Sequence, residues 1–286
     1  MDFPDEEQKQ ALLEQALQLA ARRLDPGRAQ QTREFLALYY RQVDAEDLAA
    51  RAPEDVLGAA LAHLGFGERF TSGAPKLRVY NPRAEEHGWS SSHTVIEIIN
   101  DDMPFLVDSV TMEVNRQGYT IHLFNHPVYA THRGAEGRLE TIAAAGRDGR
   151  HESWIHVEVD REVDPVHLKA LADGILAALA DVRAAVDDWK AMRSRMAGIV
   201  AELERTPQGL DPAQTAEIRA FLAWVSENHF TFLGYRDYEL VTGDGEDRLR
   251  IVPGSGLGVL RGPVPGGYSQ GFGKLPPELR ALAREP

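Results

Sequence analysis

The sequence predicts an α+β protein: an N-terminal helical segment, then a βαββαβ module, a helical linker, and the start of a second β-rich module. Three patterns carry that prediction. Apolar stripes at helical spacing fill the first 70 residues, His93–Pro127 reads as strand, turn, helix and strand, and Ser153–Asp160 alternates strictly.

The helical segment is residues 1–72. Leu12, Leu13, Ala16, Leu17 and Ala20 form one stripe, and Asp25-Pro26-Gly27 stops that helix. Phe35, Leu36, Tyr39, Tyr40 and Val43 form a second stripe. Asp44 and Asp47 suit the cap and acidic first turn of a third helix, Pro53 opens a fourth, and Gly65-Phe66-Gly67 ends the series. Short helices on short loops make a small bundle or an appendage on something larger.

The βαββαβ module is residues 76–190. Leu77–Tyr80 is a short strand, and Thr94–Ile99 is a buried one. Asn100, Asp101 and Asp102 turn the chain, with Asp102 as N-cap and Pro104 in the first helical turn. Leu106, Val107, Val110 and Val114 give that helix one apolar face, and Gly118 closes it before the strand Tyr119–Phe124. Residues 132–152 are Gly-rich and polar and read as a long hairpin loop. Asp164 caps a helix with Pro165 at its first position, and Leu168, Leu171, Ile175 and Leu179 supply its buried face. Val182–Val186 could extend that helix or form a final strand; the strand is preferred because it completes the four-stranded motif. Residues 191–227 form the helical linker. The second module, 228–286, opens with the aromatic strand Phe230–Leu240, continues through Arg248–Leu260, and ends in a Pro-Pro-initiated helix. The chain reads as the N-terminal part of a longer polypeptide.

Composition excludes several functions. The net charge of −13 comes without any Lys/Arg run, so neither nucleic acid nor an anionic membrane is an expected partner. The absence of cysteine rules out disulfides, thiolate metal sites and a Cys nucleophile. No secretory h-region and no membrane-length apolar run is present, which predicts a cytoplasmic protein. Gly254, Gly256 and Gly258 lack the third Rossmann glycine, which would fall at Val259, and Gly273-Lys274 lacks the Walker partners at Tyr268 and Leu275. Those glycines are expected to make turns. His122 and His126 share a strand face but stand about 13 Å apart, too far to hold one ion with His156, so no metal site is predicted. The aromatics His229, Phe230, Phe232, Tyr235 and Tyr238 are expected to pack between modules.

The runs NPRAEEHGWSSSHTVIEIINDDMPFLVDSV, FLAWVSENHFTFLGYRDYEL and VPGSGLGVLR resemble the N-terminal region of the large bacterial NAD-specific glutamate dehydrogenases. The likeness is strongest over residues 76–130 and returns over 153–190 and 218–261. It implies ACT-type regulatory modules, whose βαββαβ fold matches the reading above, with the catalytic domain far downstream in the same polypeptide. It also implies a homo-oligomer and a parent reaction that oxidatively deaminates L-glutamate with NAD. This segment itself would carry no cofactor and no catalytic residue. ACT modules bind amino acids at the turn after the first strand, here Asn100, Asp101, Asp102, Met103 and Pro104. The usual turn carries Asp-Arg-Pro-Gly; this one has Pro104 but Phe105 in place of the Gly. The simpler reading of Asp101 and Asp102 is capping and turn formation, and acid–base catalysis by the pair lacks a supporting pocket. Two rival readings are a ligand-free oligomerisation region and a free-standing amino-acid sensor.

Overall fold

The computed structural model describes residues 6–146, 148–204, 211–242 and 247–276. The chain divides into two units, Met1–Ala180 and Asp181–Pro286. The first holds helices α1 (Glu6–Arg23), α2 (Pro26–Tyr39), α3 (Ala45–Leu48) and α4 (Pro53–Phe66), then β1 (Lys76–Tyr80), α5 (Ala84–His87), β2 (Thr94–Asp101), α6 (Leu106–Arg116), β3 (Ile121–Asn125), β4 (Val128–Arg133), β5 (Leu139–Ala144) and β6 (Arg150–Val159). α7 (Pro165–Glu202) begins in this unit and continues into the second.

β6 organises the antiparallel sheet. One edge pairs with β2 along its whole length, Thr94 opposite Val159 and Asp101 opposite Glu152. The other edge pairs first with β3 and then with β4, so two short strands share one long neighbour. β1 closes the β2 side and β5 the β4 side.

Side-chain alternation gives β2 and β6 two different faces. Ile96, Ile98, Ile155, Val157 and Val159 point one way and are fully buried. α6 and α7 lie side by side, with the Gln117 amide on the Ala170 carbonyl at 3.3 Å, and both bury an apolar stripe: Leu106, Val110 and Val114, then Leu171, Ile175 and Leu179. The opposite face carries Val95, Glu97, Ile99, Trp154, His156 and Glu158, and the N-terminal helices cover it. Ile99, Trp154, Leu123 and Tyr129 join Phe35, Leu36, Tyr39 and Leu57 in one core. Phe35 is its aromatic centre, 5.8 Å from the Tyr129 ring and 6.0 Å from that of Trp154. The helical segment is therefore one layer of an α/β/α sandwich, built from the expected stripes of α1 and α2.

Several expectations need correction. Val182–Val186 is helix, not strand: Leu179, Val182 and Ala185 continue the buried 3–4 spacing of α7 among helix-favouring alanines. The sheet edge that a final strand would occupy is already taken by β1. Residues 132–152 are not one long loop, because β5 returns along β4 and makes two successive hairpins. Pro104 lies before the helix, and Phe105, not Asp102, is the N-cap of α6. Phe230–Leu240 is not continuous. After α8 (Pro212–Trp224) and a π-helical turn over Val225–His229, strands appear only at β7 (Gly234–Tyr235) and β8 (Tyr238–Val241), paired with β10 (Leu257–Gly258) and β9 (Arg248–Ile251) respectively. The expected C-terminal helix over 277–286 lies outside the described residues. Gly254 and Gly258 do make turns, both with positive φ, 76° and 59°.

Gly67 shows how closely the N-terminal layer meets the sheet. A Cβ built there would stand 2.0 Å from the Trp154 indole, whereas one at Gly65 meets nothing within 4 Å. Gly67→Ala is expected to lower stability by about 1–3 kcal/mol through overpacking. Gly65→Ala, in the last turn of α4, should be neutral or raise it by up to about 1 kcal/mol. Urea denaturation of the two variants checks the contrast.

Candidate functional site

The sequence-predicted site residues run from the end of β2 into the turn before α6: Asn100 and Asp101, expected in the turn, still pair with Ser153 and Glu152 of β6, and only Asp102, Met103 and Pro104 lie in the turn. Asn100 is buried and its amide donates to the Asp101 carbonyl at 2.9 Å. The Asp101 carboxylate accepts the Gly73 N–H at 2.9 Å. Asp102 is exposed; its N–H donates to the His151 carbonyl at 3.0 Å, and its carboxylate accepts the Ser153 hydroxyl at 2.6 Å. Met103 is half-buried and Pro104 exposed. The two carboxylates are thus held by separate partners on separate segments.

Phe105 follows at φ 72°, ψ 1°, a left-handed conformation that glycine adopts freely and a bulky residue does not. The turn keeps a glycine-like backbone although a phenylalanine, 43% exposed, now stands at the helix mouth. Strain of this kind costs roughly 1–2 kcal/mol and concentrates where geometry serves a purpose. Phe105 supplies no side-chain cap to the first-turn N–H groups of α6.

Behind Asp102, the Ser153 hydroxyl also lies 3.0 Å from His126 Nε2. Burial lowers the His126 pKa, so the ring is a neutral donor to Ser153. This is not a nucleophile triad. There the imidazole sits between serine and carboxylate, whereas here a fully buried serine sits between the other two. His122 meets Asp160 at 2.7 Å and stacks on His93 at 4.3 Å.

A second polar cluster lies under the N-terminal helices and was not legible as a group. Glu97 and His156 are directly paired across β2 and β6. Arg78 Nε donates to Glu97 at 2.6 Å, and Arg51 donates to Glu158 at 2.6 Å. His156 Nε2 lies 3.3 Å from Glu158, and His63 Nδ1 lies 3.1 Å from the Tyr39 hydroxyl. Glu97, Glu158, His63 and His156 are all at most 1% exposed. Burial pulls His156 down, but the neighbouring Glu158 and Glu97 carboxylates outweigh it and raise its pKa. Burial lowers His63 to about 4. Burial pushes Glu97 up, yet His63, His156 and Arg78 together hold it at about 2. Among the described residues, His63, Glu97 and His156 are the group whose donor atoms converge closely enough to hold a metal ion. The strict alternation of β6 was the available signal. Alternation alone predicts the strand, and nothing local announces that Arg51, His63 and Arg78 fold onto the face that carries His156 and Glu158.

The cluster sets an acid limit. The folded chain refuses the proton that unfolded His63 takes up below its ordinary 6.5, so stability declines as pH falls from 6.5 to about 4. Glu97 extends the loss from its ordinary 4.5 toward 2. In chelator-treated protein, His63→Gln should flatten the urea-denaturation profile between pH 6.5 and 4 and shorten the lower arm, because Glu97 loses the charge that does most to depress its pKa. An unchanged upper slope would refute the assignment.

Residues 35–175 match the model of the glutamate dehydrogenase ACT1 domain family. The chain is 42% identical over 260 residues, 90% of its length, to the NAD-specific glutamate dehydrogenase of Halomonas elongata. It is 35% identical over 79% of its length to that of Pseudomonas aeruginosa, and 27% identical over 75% to that of Mycobacterium tuberculosis. The aligned part is 16%, 14% and 13% of those relatives' own lengths. Residues 35–175 are therefore an ACT1 domain of the glutamate dehydrogenase family, in a chain homologous to the N-terminal part of the large NAD-specific enzymes.

Proposed function

We propose that this chain is the non-catalytic regulatory and assembly region of an NAD-dependent glutamate dehydrogenase. The parent reaction is L-glutamate, NAD and water giving 2-oxoglutarate, ammonia and NADH, carried by a downstream domain of a cytoplasmic homo-oligomer. The observation that carries the assembly role is an apolar surface in the second unit. Ile218, Phe221, Trp224, Phe230 and Leu233 are 44–59% exposed, and Trp224 stacks on His229 at 4.4 Å. Exposed apolar side chains gathered in this way mark a surface for another protein part. Of the aromatics expected to pack between modules, only Phe230 and His229 belong to this surface.

The effector site is the segment Asn100–Pro104. A small amino acid would set its carboxylate against the first-turn N–H groups of α6 and its ammonium against Asp102. The holding of Asp101 by Gly73 and of Asp102 by Ser153 favours the second reading, a ligand-free structural region. A thermal-shift screen of the chain against amino acids separates the two. An effector at a hundredfold its Kd adds about 2.7 kcal/mol, and the gain should vanish in Asp102→Ala. A flat screen on folded protein leaves the structural reading standing.

A further inference from the structure

We propose that the chain holds a divalent transition metal of the zinc class between His63 Nε2, His156 Nδ1 and Glu97 Oε1, clamping α4 to β2 and β6. The proposal is independent of the regulatory reading.

The first argument is convergence. The three donor atoms come from three different elements and lie within 4.8 Å of one another, with Glu97 Oε1 and His156 Nδ1 at 3.7 Å. A tetrahedral ion with bonds of 2.0–2.1 Å sets its ligands about 3.3 Å apart, so small side-chain rotations close the site.

The second argument is that the two imidazole nitrogens are unused, while Glu97 Oε1 accepts the Tyr80 hydroxyl at 3.2 Å and keeps a second lone pair for the ion. His63 Nε2 and His156 Nδ1 are buried without a hydrogen-bond partner. The Ile98 main chain makes a weak hydrogen-bonding contact with the His63 ring, which the ion would have to displace. Leaving two such nitrogens unsatisfied costs free energy that folded proteins rarely forgo.

The third is the outer shell. On each histidine the other ring nitrogen has a partner: His63 Nδ1 lies 3.1 Å from the Tyr39 hydroxyl and His156 Nε2 lies 3.3 Å from Glu158, so a bound ion would set Nδ1–H of His63 donating to Tyr39 and Nε2–H of His156 donating to Glu158. Both rings then present a lone pair to the centre, the tautomer that metal-binding histidines take when a carboxylate or hydroxyl holds the opposite nitrogen. Glu158 is itself fixed by Arg51, and Glu97 by Arg78 through the oxygen that does not face the site. Two imidazoles and one carboxylate suit zinc, cobalt or nickel better than calcium or magnesium, which favour all-oxygen sets.

A proton on His156 is the competing occupant. It satisfies neither His63 Nε2 nor the 3.7 Å gap to Glu97. With all three ligands buried, substrate has no way in. The ion would be structural, its fourth position left to water.

Because the site is closed, the chain is unfolded with chelator and refolded with Co2+ or Zn2+. One equivalent of Co2+ should give the intense visible bands of a four-coordinate ion, Zn2+ should displace it one for one, and either metal should raise the thermal midpoint. His63→Gln and Glu97→Gln, checked for folding by circular dichroism, should lose the bands, while His122→Gln, on the surface, should keep them. Absence of both the bands and the midpoint shift in the unmutated chain overturns the proposal, whether or not the variants fold. So do bands that survive His63→Gln or disappear in His122→Gln.

Discussion

The first unit depends on burying a polar strip of sheet. Glu97, His156 and Glu158 sit side by side on β2 and β6, and every one of them is cut off from water. Charges removed from water stay favourable only when partners are close and well placed. Those partners are Arg51, from the link between α3 and α4, and Arg78 from β1, with His63 of α4 beside them and held in turn by Tyr39 of α2. The helices therefore complete the sheet electrostatically as well as covering it with Phe35 and Leu57. Without them, two carboxylates and an imidazole would face solvent on a surface otherwise made of Ile99, Trp154 and Tyr129.

Much of this was legible from periodicity. The stripes of α1 and α2, the buried run of β2, the amphipathic α6 and the alternation of β6 all fall where their spacing places them. What failed has a common cause, that tertiary context outranks local signals. Val182–Val186 has β-branched residues, but the sheet edge was already occupied and the helix face continued through it. Residues 139–144 look like loop because they are short and flanked by glycines, yet β4 offers them a free edge. Phe105 takes a backbone conformation that its side chain disfavours, which no propensity argument selects.

The chain does turn at the mouth of α6 with Asp102 at its surface, but two residues later than the sequence suggests, because Asn100 and Asp101 stay paired with β6. Its neighbours could not be foreseen, since Ser153, His126 and Gly73 come from distant segments. The buried cluster was further from view. His156 was weighed with His122 and His126, its neighbours in residue type, whereas folding brings it to His63, on a helix more than ninety residues earlier. Homology to the N-terminal part of a much longer enzyme explains why an exposed aromatic surface accompanies a chain with no predicted catalytic residues, under the assembly reading proposed above.

The central claim is that the N-terminal helices and the sheet are one cooperative structure joined through that buried strip. Native-state hydrogen exchange of the chain tests it most directly. Amides of α4 should open with the same free energy as those of β2 and β6, in one unit. Exchange of α1–α4 through a lower-energy opening that leaves the sheet amides protected would contradict it.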